Sequence, residues 1–118
     1  DPSDYLVSTA SYKELESQIG CKSKFSEDKK ADIFESKYKN RWLTWSGEVI
    51  LPEAGETSLN VDGVGMQDLH VSFSNNNAGY DLEKDEMITV KFVMKTEGGC
   101  FLPYSGEFAQ IILTTTRG

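Results

Sequence analysis

The sequence predicts a mostly β domain of the α+β class: five antiparallel strands closed into a small barrel, with one or two helices ahead of them. Three observations carry this. The apolar period changes from about 3.6 residues before Asn40 to about 2 after it. Beyond Asn40 the alternating runs are short and are set off by Pro, Gly, Asp and Asn. The longest gap between two runs, following Phe73, is about a dozen residues, too short for a helical crossover between parallel strands.

At 118 residues the chain fits one domain, 1–118, with residues 1–40 as a helical segment packed on a barrel of residues 41–116. Apolar residues make up 38% and charged ones 26%, the proportions of a folded globular chain. No run approaches the roughly 20 apolar residues of a membrane-spanning helix. No signal peptide is read at Asp1, and a mature exported protein would begin in the same way.

Ser11-Tyr12-Lys13-Glu14 has capping-box form, with Ser11 as N-cap and Glu14 three residues on. Tyr12, Leu15 and Ile19 follow at helical spacing, and Gly20 reads as the stop. A second helix is expected from Ser26, with Glu27 and Asp28 in its first turn and Lys37 and Lys39 in its last. Ala31, Phe34 and Tyr38 share the face that should dock on the sheet, with Ile33 beside them.

Leu43, Trp45, Gly47, Val49 and Leu51 alternate with polar residues and mark the first strand, with Gly47 as the expected bend or bulge. Pro52-Glu53-Ala54-Gly55 breaks it. Thr57, Leu59 and Val61 mark the second strand, ended by Asp62-Gly63; Leu69, Val71 and Phe73 mark the third. Ile88, Val90, Phe92 and Met94 mark the fourth. The fifth is expected over 107–116, with Phe108, Ile111, Ile112 and Leu113 supplying both faces. Between the last two lies a long loop containing Cys100-Phe101-Leu102-Pro103-Tyr104.

The two cysteines, Cys21 and Cys100, flank this β region and form no CxxC pair, and with one histidine they make a poor zinc set. A single bridge between them is expected, and with it a periplasmic or extracellular address. The alternative is two unrelated free thiols.

Five short strands, the first bent so that it serves both halves of a barrel, fit an OB-like barrel of Greek-key order. The stretches Trp45-Ser46-Gly47-Glu48-Val49, Asp62-Gly63, Asp68-Leu69-His70-Val71-Ser72-Phe73 and Leu82-Glu83-Lys84-Asp85-Glu86-Met87-Ile88-Thr89-Val90 resemble bacterial exported OB-fold domains of the tRNA-anticodon-binding-like type. The resemblance covers about residues 41–116 and departs from the family at Lys84-Asp85, which lacks the usual intervening glycine. It implies the barrel, an origin among small exported proteins and lipoproteins, so that a lipid anchor ahead of Asp1 is compatible with it, and, by the family's name, nucleic-acid binding.

Charge opposes nucleic acid. The 12 basic and 19 acidic residues give a net charge of −7. From residue 41 onward five basic residues (Arg41, Lys84, Lys91, Lys95, Arg117) face eleven acidic ones, so the barrel carries −6. Phosphate binding needs a basic groove, and Lys91 with Lys95 is a poor track.

Catalysis has little support. Asp68, His70 and Ser72 share a strand face, but residues two apart on a strand are nearly 7 Å apart, too far for a relay. Glu83, Asp85 and Glu86 lack the glycine of a calcium loop, and Gly63-Val64-Gly65 lacks the third glycine of a phosphate loop. No catalytic residue, metal ligand or cofactor is assigned.

A binding module remains, with a protein partner in the bacterial envelope or outside the cell as the leading expectation and nucleic acid as the alternative. Its candidate contact residues are Phe101 and Tyr104 on the cysteine-tethered loop, Lys91 and Trp42 on the barrel, and Tyr80 beside the Asn75-Asn76-Asn77 loop. Trp42 points away from the core, either under the N-terminal helices or onto an outer binding face. The other reading of Phe101 and Leu102 is that they cap the barrel end.

Overall fold

Helix α1 spans Tyr12–Ile19, and the Ser11 hydroxyl accepts from the Glu14 N–H at 3.1 Å, the cap read from the sequence. The computed structural model describes residues 1–64 and 67–115; Gly65 and the expected barrel end at 116 lie outside them. Gly20 ends α1, though not through a left-handed turn: its φ is −71°, and a Cβ there would collide with Glu16.

Helix α2 spans Glu27–Ile33 and is capped by Ser26. It does not continue regularly to Lys39 but widens into a π turn at Phe34–Tyr38, where the Lys39 N–H reaches the Phe34 carbonyl at 2.9 Å. Phe34 and Tyr38 are buried as expected. Ala31 is exposed, and Lys30 takes the buried place on that line, i and i+4 with Phe34, its amine 3.3 Å from Glu27. Burying a long aliphatic stem while its charged head keeps an acidic partner explains how a lysine occupies a buried place on this helix.

The strands are β1 (Trp42–Pro52), β2 (Glu56–Asn60), β3 (Leu69–Phe73), β4 (Met87–Thr96) and β5 (Tyr104–Thr115). They close into a barrel in the order β1-β2-β3-β5-β4. The barrel is not wholly antiparallel: β3 and β5 run parallel, from Leu69↔Tyr104 to Phe73↔Ala109. An odd number of strands cannot alternate direction all the way round a closed ring, so one neighbouring pair must be parallel. The minimum crossover length constrains only strands consecutive in sequence, whereas the β3-to-β5 connection contains the whole of β4.

β1 serves both halves. It pairs with β4 over Trp42–Glu48 and with β2 over Glu48–Pro52. Gly47 lies at the changeover, where a Cβ would come within 2.9 Å of the Asn60 carbonyl oxygen. The bulge itself lies further on, between Val49 and Leu51.

Inward side chains of all five strands fill the barrel, among them Leu43, Val49, Leu59, Val71, Val90 and Phe92. Leu15 and Ile19 of α1 complete the core and plug one mouth. The other mouth is closed by the 74–86 loop, where the Gly79 N–H reaches the Ala54 carbonyl at 2.9 Å and a Cβ on Gly79 would strike the Glu53 carbonyl.

β5 departs from expectation in two places. It begins at Tyr104 rather than 107, because its first residues pair with β3. At the bulge opposite Phe92, Phe108 adopts φ +56° and is only half-buried, and Ala109 takes the core position. Ile111 packs against the core, but Ile112 and Leu113 are exposed.

Candidate binding site

Where α1 crosses its mouth of the barrel, four side chains form one polar chain. The Tyr12 hydroxyl lies 2.8 Å from Glu16 Oε1 and 3.1 Å from Asp68 Oδ1. The Tyr104 hydroxyl donates to Glu16 Oε2 at 3.0 Å, and Asp68 Oδ2 accepts from the backbone N–H groups of Val61 and Asp62 at 2.8 and 3.2 Å. Rings pack beneath: Tyr12 stands edge-on to Trp45 and Tyr104, with centroids 5.5 and 6.0 Å away. The Trp45 indole N–H donates to the Ala10 carbonyl at 2.9 Å.

Tyr12 has one proton and two carboxyl neighbours. If it donates to Glu16, the contact to Asp68 is a hydrogen bond only when Asp68 is protonated and donates back. Burial, reinforced by the charge of Asp62, holds the Asp68 carboxyl above its usual range against the pull of the Val61 and Asp62 N–H groups and of the Tyr12 hydroxyl. Burial, together with Glu16, also pushes both the Tyr12 and Tyr104 hydroxyls far up.

A carboxyl whose folded pKa is raised stabilises the fold below its unfolded pKa, and that contribution is lost as pH rises through the folded value. Asp68→Asn supplies a permanent donor toward Tyr12 and keeps an acceptor for the two N–H groups. It should raise the melting temperature at pH 7 by about 4 °C, equivalent to about 1 kcal/mol, and leave it unchanged near pH 3. Calorimetry across this range checks the prediction; a variant less stable than the parent at pH 7 would contradict it.

This chain floors a surface groove. One hollow, of about 880 Å³, lies between residues 9–11, α1 and the Thr44 and Ser46 side of β1. A second, of about 400 Å³, lies between the β2–β3 connection and the loop at 97–103. Tyr12, Glu16, Cys21 and Asp62 line both, so the two hollows share a wall.

The Cys21–Cys100 disulfide is formed. It ties the end of α1 to the 97–103 loop, with 4.9 Å between the two Cα atoms. Phe101 is 97% exposed, and exposed Leu102 and Val64 line the second hollow with it. Phe101 and Leu102 therefore do not cap the barrel. Tyr104 is not a loop residue at all: it opens β5, is 3% exposed and belongs to the floor beneath the groove.

The other expected contact residues lie elsewhere. Trp42 is buried on the outside of the barrel, covered by the N-terminal segment, a 3-10 turn at Pro2–Asp4 and the chain running on to Ser8, rather than by α1 or α2. Its indole N–H donates to the Pro2 carbonyl at 2.9 Å, and its backbone pairs with Leu6 and Ser8. The Lys91 amine sits 5.1 Å from the centre of the Trp42 ring. The Lys95 amine donates to Asn40 at 2.9 Å and lies 3.9 Å from Glu107, so both lysines are engaged within the chain. Tyr80 is exposed on the loop that closes the opposite mouth.

Asp68, His70 and Ser72 are not joined. His70 Nδ1 instead lies 2.9 Å from the Ser58 hydroxyl, and its Nε2 lies 3.5 Å from Glu56. The line resembles a relay in residue type only, since Ser58 is 1% exposed and presents no hydroxyl to a substrate. Among the described residues no three His, Cys, Asp or Glu side chains converge as a metal site, and no helix is long and apolar enough to cross a membrane.

The fold and groove define a closed five-stranded β-barrel plugged by a helix. Compared with protein-family models, curated proteins and solved structures, the chain has no match.

Proposed function

We propose that this chain is a non-catalytic binding module of OB-like architecture, exported from a bacterial cell, that engages a protein partner through the disulfide-held loop and the groove beside it. The observation that carries the reading is Phe101, an almost fully exposed aromatic on a loop bridged to α1. Exposed aromatics at the centre of a contact supply a large share of binding energy, and a loop ordered in advance loses less entropy on binding. The strand order, with β1 shared between both halves, supports the OB-like assignment. The disulfide is compatible with an address outside the cytoplasm.

The test is capture of a partner from envelope extract and from culture medium by the oxidised protein, beside Phe101→Ala. That substitution should abolish most of the capture, a loss of about 2 kcal/mol or some 30-fold in affinity, without moving the melting temperature. Equal recovery with both proteins would overturn the proposal. So would salt-sensitive binding of a single-stranded oligonucleotide at low ionic strength, which would put nucleic acid in the partner's place.

A further inference from the structure

β3 stops before β5 does. The last β3–β5 contact is Phe73↔Ala109, beside a bond of 3.0 Å from the Ser74 N–H to the Ala109 carbonyl. Beyond Ala109, β5 continues to Thr115 with β4 as its only strand partner among the described residues, from Gln110↔Lys91 to Thr115↔Met87. One side of the backbone over 110–115 is therefore an open sheet edge. Ile112 and Leu113 on it are 56% and 58% exposed.

Open edges in soluble proteins are usually guarded by lysine, proline or inward charge. This one has none: Phe108-Ala109-Gln110-Ile111-Ile112-Leu113-Thr114-Thr115 carries no charge and no proline, and is rich in residues that favour strands. In a chain of net charge −7, most surfaces of two copies repel each other, and this uncharged edge is a place where they can meet without like charges in register.

We infer that this edge pairs with the same edge of a second copy, antiparallel across a two-fold axis. Antiparallel backbone pairing is self-complementary, so one segment supplies both halves of the contact. It places Ile112 and Leu113 of each copy near those of the other. A strand pair this short buries less than a stable interface needs, so the dimer is weak, with a dissociation constant on the order of 100 μM. This contact is independent of the groove at the α1 mouth.

Sedimentation velocity of the oxidised protein from roughly 1 μM to 1 mM tests it, beside Leu113→Lys and Ile112→Lys. Both side chains are exposed, so circular dichroism should be unchanged. The parent should pass from monomer to dimer, with amide exchange at 111–115 slowed only in concentrated samples. Each lysine variant should weaken association by about tenfold or more. A parent that stays monomeric throughout, a dimer insensitive to both substitutions, or a dimer whose 111–115 amides exchange as fast as the monomer's would each overturn the inference.

Discussion

Replacing Cys21 and Cys100 together by serine should lower the melting temperature by roughly 15–20 °C. The bridge spans a sequence separation of 79 residues. In the chain-entropy account, closing such a loop in the unfolded chain is worth about 4.5 kcal/mol. For a domain of this size, 1 kcal/mol moves the melting temperature by about 4 °C. Both half-cystines are exposed, so serine leaves no cavity and the loss reflects the covalent link itself. Among the described residues the link is also the only bond between the end of α1 and the 97–103 loop, so amides of that loop should exchange faster in the variant. Calorimetry measures the first effect; a fall of less than about 5 °C would mean that the unfolded chain gains little freedom when the bridge is removed. Thiol titration of denatured, unreduced protein should find no free thiol.

Trp45→Ala should cost about 4 kcal/mol, the middle of the range for a buried aromatic. Trp45 is where the helix meets the barrel. Its ring lies edge-on to Tyr12 at 5.5 Å, Phe92 at 5.3 Å and Tyr104 at 6.1 Å. Its indole N–H holds the Ala10 carbonyl just ahead of α1. Truncation leaves a cavity under α1 and orphans that carbonyl. Trp42→Ala should cost much less, because Trp42 lies outside the main core and holds only the N-terminal segment. Chemical denaturation compares the two; similar losses would show that α1 is not docked through Trp45.

What the sequence revealed and what it hid follow one line. Interactions of short range were legible. The Ser11 and Ser26 caps and the alternation that turns Leu43, Trp45 and Val49 inward all lie within one or two turns. The disulfide was also legible, because two cysteines allow one pairing. Contacts that depend on closure were not. The parallel β3–β5 pair follows from ring parity, which no local pattern contains. Tyr104 read as a loop aromatic because Pro103 and the glycines before it look like a turn, yet it starts a strand whose partner lies 35 positions away, at Leu69. Asp68 joined Tyr12 across 56 residues, so the carboxyl–phenol chain could not be assembled from either segment alone. Ile112 and Leu113 read as supplying apolar faces of the fifth strand; that the early end of β3 leaves them uncovered is in no local pattern.

Photocrosslinking decides most directly whether the disulfide loop is the contact surface. A photoreactive phenylalanine analogue is placed at Phe101 in one protein and at Tyr80, exposed at the opposite mouth, in another. After irradiation in the native cell envelope and in the surrounding medium, position 101 should yield a discrete protein adduct that reduction of the disulfide weakens, and position 80 should yield none. An adduct from position 80 alone, or none from 101, would contradict the account.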